Sequence, residues 1–232
     1  MILTAHSLAR MIDISAVRAQ HGESEIREMV ARAKERRFIA VHSLPCWVTF
    51  LRGLLEGEAD IMVGAPVGFP GGAHTTRTKV LEAQQLVADG VDEMDMMLNV
   101  GMMLSGRLDY VERDIKAVVE AAGAVPVKVI LELHYLDTEQ IKRACELAIK
   151  AKAAYVKTAT GWAASGATLE KVRIITSFVG DAIKVKAAGG VRDLDTVKKM
   201  LVMGVSRFGI NLDASMKILD ECAAAEGGSV TV

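Results

Sequence analysis

Residues 153–166 read Ala-Ala-Tyr-Val-Lys-Thr-Ala-Thr-Gly-Trp-Ala-Ala-Ser-Gly. Ala154 to Thr158 has the apolar and β-branched character of a short strand, a Gly-containing loop follows, and a helix begins at about Thr168. Lys157 stands near the C-terminal end of that strand, after Tyr155 and Val156. An isolated lysine there normally snorkels to water or pairs with a carboxylate. Held inside a closed barrel it behaves differently. Burial disfavours the ammonium form, and a neutral amine is a nucleophile able to form a Schiff base.

The same strand–loop–helix unit repeats along the chain. Met11–Ser15 is a first strand, followed by a helix over Ser24–Arg37 with Ser24 as N-cap and Ile26, Met29, Val30 and Ala33 as its apolar stripe. Phe38–His42 is the second strand, and Pro45 opens a short helix after it. Ala59–Val63 is the third, leading into the Gly- and Pro-rich run GAPVGFPGGAHTTRTK and a helix to about Asp89. Val91–Leu98 and Val127–Leu133 are the fourth and fifth, with helices over Gly106–Ala122 and Thr138–Ala151. The quoted stretch supplies the sixth. Ile183–Ala187 and Ser206–Ile210 complete the set, with helices from Asp193 to about Met203 and over Ala214–Ala225. The tail EGGSVTV, from about residue 226, reads as frayed.

Eight strands alternating with eight helices require parallel strands and right-handed crossovers. In 232 residues without a linker or composition shift, that favours a single (β/α)₈ TIM barrel domain over residues 1–232. A doubly wound nucleotide-binding sheet is disfavoured, because no G-x-G-x-x-G follows the first strand. With 51% apolar residues a large core is available. A formal net charge of −1 gives no basic footprint for nucleic acid and no signature for an anionic membrane. No apolar run reaches a membrane span, and the N-terminal residues lack a secretory h-region. Three scattered cysteines, Cys46, Cys145 and Cys222, suit reduced thiols and a cytoplasmic location.

Barrel strands should be apolar inside, and several here are not. Glu93 and Asp95 share one face of the fourth strand, Lys128 and Glu132 one face of the fifth, and Lys184 and Lys186 one face of the seventh. If these faces point inward, ammonium and carboxylate groups converge with Lys157 on the end of the barrel where reactive groups lie. Unpaired buried charges cost several kcal/mol each. Lys186 near Lys157 depresses the amine's pKa further, and Asp95 near both can move protons through a water. A neutral amine, a cation and a carboxylate suit imine formation and aldol cleavage, the iminium acting as electron sink.

A second cue lies in the loops after the last three strands: Thr160-Gly161, Gly189-Gly190-Val191-Arg192, and Gly209. Glycines there let backbone N–H groups approach an anion, and barrels commonly hold phosphate in this region. The five histidines, His6, His21, His42, His74 and His134, show no metal-ligand spacing and read singly as surface or loop residues.

The runs GFPGGAHTTRTKVLEA, DEMDMMLNVGMMLSG, VKVILEL, YVKTATGWAASGAT and KAAGGVR together resemble the 2-deoxyribose-5-phosphate aldolases, a family of Schiff-base (class I) aldolases on a (β/α)₈ barrel. The resemblance runs from about Ile12 to Ser215. It implies Lys157 as the Schiff-base lysine, Lys186 as the second lysine that perturbs it, and Asp95 as the proton-relay carboxylate. Gly161, Gly189, Gly190 and Gly209 fall where that family binds the substrate phosphate, with Arg192 and Asn211 beside them. No cofactor or metal is implied, since the covalent imine does the work.

Some positions depart from the family pattern. Gly209-Ile210-Asn211-Leu212 lacks the two serines usual after the glycine. His42-Ser43-Leu44-Pro45 replaces a Cys-x-Asn-Pro-like run, and His134 stands where a small polar residue is usual. The expected reaction is cleavage of 2-deoxy-D-ribose 5-phosphate to D-glyceraldehyde 3-phosphate and acetaldehyde. The alternatives are the same imine chemistry on a different or unphosphorylated sugar or aldehyde, and a non-catalytic barrel used for binding. The expected partner is a small sugar phosphate or aldehyde; self-association into a homo-oligomer is left open.

Overall fold

The computed structural model describes residues 2–232. β1 (Ile2–Thr4) and α1 (Ala5–Ala9) precede eight parallel strands that close into a barrel in sequence order. These are β2 (Ile12–Ala16), β3 (Ala40–Ser43), β4 (Met62–Val67), β5 (Glu93–Met97), β6 (Val127–Ile130), β7 (Tyr155–Lys157), β8 (Lys184–Ala188) and β9 (Arg207–Ile210). β9 pairs back on β2 through Asp13–Gly209 and Ile14–Ile210, which closes the ring. The expected TIM barrel is what the chain forms.

The helices over the outside of the ring are α2 (Glu23–Arg36), α3 (Val48–Leu54), α4 (Thr76–Ala88), α5 (Val100–Leu104), α6 (Leu108–Ala122), α7 (Thr138–Lys150), α8 (Leu169–Val179), α9 (Leu194–Val202) and α10 (Leu212–Ala224). The longer ones hold an apolar stripe on the strands, while α5 packs on α6 and α7. In α6 it is Val111, Ile115, Val118 and Ala122, at the three- and four-residue spacing that keeps one face inward. α7 starts at a reciprocal cap in which Asp137 and Gln140 satisfy each other's backbone N–H groups. No described helix is long and apolar enough to cross a membrane.

Four readings from the sequence need correction. The tail is not frayed: Ser229–Thr231 forms β10, antiparallel to β1. The third barrel strand runs over Met62–Val67, not Ala59–Val63. Gly64 lies within this strand, at a position where a side chain would come within 2.2 Å of the His42 ring. The fifth strand stops at Ile130, since Glu132 adopts a left-handed conformation (φ 52°) and leads into a 3₁₀ turn over Leu133–Tyr135. The first long helix is capped at Gly22 rather than Ser24.

Candidate active site

Lys157 ends β7, and its side chain enters the mouth of the barrel with only 13% of its surface exposed. Its strand partner in β8 is Lys186, directly alongside in the register. Both ammonium groups converge on one atom: Lys157 Nζ and Lys186 Nζ each donate to Asp95 Oδ2 at 2.7 Å. Lys186 Nζ also lies 2.6 Å from Asp13 Oδ2 in β2. The three groups singled out from sequence therefore meet. Gly209 has a role beyond a turn, because a Cβ there would lie 3.2 Å from Cε of Lys186 and 3.0 Å from the Ala188 side chain.

Below this trio sits a second layer. Lys128 Nζ is 2.8 Å from Glu93 Oε1 and 3.3 Å from Asp95 Oδ1. Arg207 Nη2 donates to Glu93 at 3.2 Å, and its Nε donates to Asp13. His42 Nε2 lies 2.8 Å from Glu93 Oε1. All of these side chains are buried. Asp13, Glu93 and Asp95 carry three negative charges, and Lys128, Lys186 and Arg207 carry three positive ones. The set balances without Lys157, so a proton on Lys157 is a fourth, surplus positive charge.

The protonation states follow from that count. Burial pushes the Lys157 ammonium below its ordinary pKa; Asp95 opposes the shift and Lys186 adds to it. Burial would likewise lower Lys186, but Asp13, Asp95 and Glu93 outweigh it and hold the group charged. Burial would raise Asp95, yet Lys157, Lys186 and Lys128 keep its carboxyl well below the usual range. Glu93 is depressed against burial in the same way, chiefly by Lys128 and His42. The lysine pair thus splits into a member whose pKa is lowered and a member held charged.

Two residues expected in the cluster lie elsewhere. Lys184 shares a strand face with Lys186 but sits at the exposed start of β8, with Nζ 5.6 Å from the Tyr155 ring centroid. Glu132 stays buried but belongs to no part of the cluster; it accepts from the backbone N–H of Thr160 at 3.3 Å and from the Thr160 hydroxyl, bracing the loop that follows Lys157. Three participants went unrecognised, namely Asp13, His42 and Arg207. The signal was available: each is a polar residue inside an otherwise apolar strand, the same anomaly that exposed Glu93 and Asp95. His42 is not a surface or loop histidine but lies 4% exposed.

A cavity of about 440 Å³ opens above the trio. Gly161, Gly189, Gly190, Arg192, Gly209 and Asn211 all line it. Asn211 caps α10, its side chain accepting from the Ala214 N–H at 2.9 Å. Leu212 and Asp213 line the same end. Loops lace across the mouth: Arg18 Nη2 donates to the Gly161 carbonyl at 2.8 Å, and Trp162 Nε1 donates to the Val17 carbonyl at 3.2 Å. Phe69 meets the Trp162 ring edge-on at 5.7 Å between centroids.

Asp13, His42 and Glu93 offer donor atoms within 4.8 Å of one another, close enough to hold a metal ion. The surroundings do not suit one. Both carboxylates are already paired with Arg207, and each has a lysine as well, Lys186 at Asp13 and Lys128 at Glu93. A divalent cation added there would be surplus charge in a set whose carboxylates are already compensated.

Fold and site together define a barrel enzyme equipped for chemistry between a lysine amine and a carbonyl. Comparison with known proteins narrows the class. The sequence profile of the DeoC/LacD family aldolases matches residues 13–211, and the chain belongs to that family. It is 52% identical to a deoxyribose-phosphate aldolase of Klebsiella pneumoniae over 220 residues, covering 94% of this chain and 88% of the relative. Among solved structures, a putative deoxyribose-phosphate aldolase from Coccidioides immitis superposes with a TM-score of 0.90 at 33% identity, over 95% of this chain and 87% of that one. The deoxyribose phosphate aldolase of Aeropyrum pernix, described as having a unique tetrameric structure, gives 0.86 at 25% identity, over 95% and 93%.

Proposed function

We propose that the chain is a class I aldolase that cleaves 2-deoxy-D-ribose 5-phosphate to D-glyceraldehyde 3-phosphate and acetaldehyde through an imine on Lys157. The observation that carries this reading is the shared carboxylate oxygen: Lys157 and Lys186 both lie 2.7 Å from Asp95 Oδ2 at the floor of an open cavity. Lys157 is the nucleophile. Lys186 stays charged and keeps the neighbouring amine neutral. Asp95 moves protons during loss of water from the carbinolamine and then faces the iminium as its counter-ion.

The sequence of bonds is simple. The Lys157 amine adds to the aldehyde carbon and water leaves, giving a cationic iminium. The bond between C2 and C3 of the sugar breaks, its electron pair passes into the iminium to form an enamine, and the C3 hydroxyl gives up its proton as it becomes a carbonyl. The enamine carbon is then protonated, and water releases acetaldehyde. The imine itself is the electron sink, so the chemistry calls for no cofactor.

Gly161, Gly189, Gly190, Arg192, Gly209 and Asn211 receive the far end of the sugar. Their place on one side of the cavity supports a phosphate there. Leu212 and Asp213 at that end favour a second reading, the same reaction on an unphosphorylated sugar. Comparing kcat/KM on 2-deoxyribose with and without the 5-phosphate separates the two; a strong preference for the phosphate removes the second.

In this reading the enzyme acts in the cytoplasm as a single barrel domain over residues 1–232. The tetrameric description of the Aeropyrum pernix relative supports self-association. The decisive experiment is borohydride reduction in the presence of acetaldehyde. A mass gain confined to Lys157 is expected, and its absence refutes the imine.

A further inference from the structure

His42 is buried, lines the cavity floor, and has no part in the steps above. Its seat is specific. The ring lies over Gly64 of β4, the residue at which any side chain would overlap it. Around it stand Asp13, Glu93 and Asp95, with Lys186 as the cation that acts on it most strongly.

The partners fix the tautomer. Glu93 is ionised and accepts, so Nε2 at 2.8 Å from its oxygen carries the hydrogen. Nδ1 is then the bare nitrogen, 3.8 Å from Asp95 Oδ2. Burial, reinforced by Lys186, holds the ring neutral against the three carboxylates.

The other basic atoms on the floor are engaged. Asp95 Oδ2 faces two ammonium groups and Oδ1 faces Lys128. Asp13 faces Lys186 with one oxygen and Arg207 with the other. Among the described residues of the cavity floor, Nδ1 of His42 is the base whose lone pair no cation occupies.

We propose that His42 is the proton-holding residue of the aldol step: Nδ1 takes the proton released by the substrate C3 hydroxyl as the C2–C3 bond breaks, and returns it to the enamine carbon. The inference rests on the imine reading of Lys157. Charge balances throughout. Before cleavage the surplus positive charge is on the iminium nitrogen. As the C2–C3 pair neutralises that nitrogen, the proton places one positive charge on His42, so the buried set holds one surplus charge at each stage. Proton return to carbon restores the iminium, and hydrolysis frees the amine.

The test uses a partial reaction. In D₂O, acetaldehyde alone forms the imine and then the enamine, and its methyl protons exchange for deuterium, which proton NMR follows. His42→Gln is expected to keep borohydride trapping on Lys157 while losing methyl exchange and sugar cleavage together, by about 10²-fold or more. Exchange at the wild-type rate with trapping intact overturns the role of His42 and leaves the imine standing. Loss of trapping in His42→Gln also overturns it, since the residue then serves the amine rather than the proton. Failure of the wild-type protein to trap on Lys157 sinks the imine reading instead. A second measurement does not depend on the variant folding: ¹⁵N-histidine NMR of the wild type at neutral pH should show Nε2 protonated and Nδ1 bare at His42. A protonated Nδ1 refutes the proposal.

Discussion

Lys157 and Lys186 are partners across β7 and β8, and their ammonium nitrogens reach the same oxygen of Asp95, each at 2.7 Å. One carboxylate oxygen cannot fully compensate two cations. Among the described residues Lys186 has Asp13 as a second carboxylate in ion-pair contact while Lys157 is in such contact with Asp95 alone, so of the two it is Lys157 whose pKa is lowered.

Replacing Lys157 with leucine is expected to abolish turnover and borohydride trapping while the far-UV circular dichroism and Tm stay close to wild type. The interior charges balance without this residue, so its loss leaves no uncompensated cation partner. Activity surviving in Lys157→Leu would move the nucleophile elsewhere.

Asp95→Asn removes the atom both lysines share. Turnover should fall by about 10²–10⁴-fold, the range of a lost acid–base group, because the carbinolamine loses its proton donor and the iminium its counter-ion. A variant with unchanged single-turnover cleavage would take Asp95 out of proton transfer.

The pH profile should respond to Lys186. Lys157 must be neutral to attack, so activity rises with pH through its lowered pKa. Lys186 contributes to that lowering, and removing its charge in Lys186→Met lets Asp95 hold the Lys157 proton more firmly. The acidic limb of kcat/KM is therefore expected to move to higher pH. A limb that stays in place would show that burial alone sets the amine.

Acid stability carries its own sign. Glu93 and Asp95 have folded pKa values well below their ordinary ones, so the stability they contribute is present above about pH 4 and is lost as pH falls through the folded values. The wild type should keep its Tm from neutrality to near pH 4 and lose it below. Glu93→Gln should be less stable at neutral pH, since it leaves Lys128 and Arg207 underpaired, with the gap narrowing in acid. A gap that widens in acid would contradict this sign.

Gly72 tests the frame beneath the site. A Cβ there would fall 2.0 Å from the Leu98 carbonyl oxygen, and the residue adopts φ 71°. Gly72→Ala should therefore lower Tm by several degrees and slow turnover, because Leu98 directly follows β5, the strand that carries Asp95. An unchanged melting curve would show that the two loops are free to part.

Much of this was legible in the sequence for a physical reason. A barrel strand buried on both faces has to be apolar, so Glu93, Asp95, Lys128 and Lys186 stood out as exceptions needing partners. The strand–helix alternation gave the closed parallel barrel, and the spacing of Gly161, Gly189, Gly190 and Gly209 placed them together at one end of it. The chain alone thus determined the fold class and the kind of chemistry, and it singled out Lys157 as the candidate amine.

Register and backbone conformation decided the rest, because they depend on contacts between distant strands. The left-handed turn at Glu132 took that carboxylate away from the cluster and onto Thr160, and the position of Lys184 at a strand start left it in water. Gly64 proved to be the floor under an imidazole. Pairing β9 against β2 brought Arg207 and Asp13, 194 residues apart, into contact, and only that closure showed that the interior charges cancel without Lys157. A sequence specifies which charges exist; the ring of strands specifies which of them compensate one another, and so which lysine has its pKa lowered.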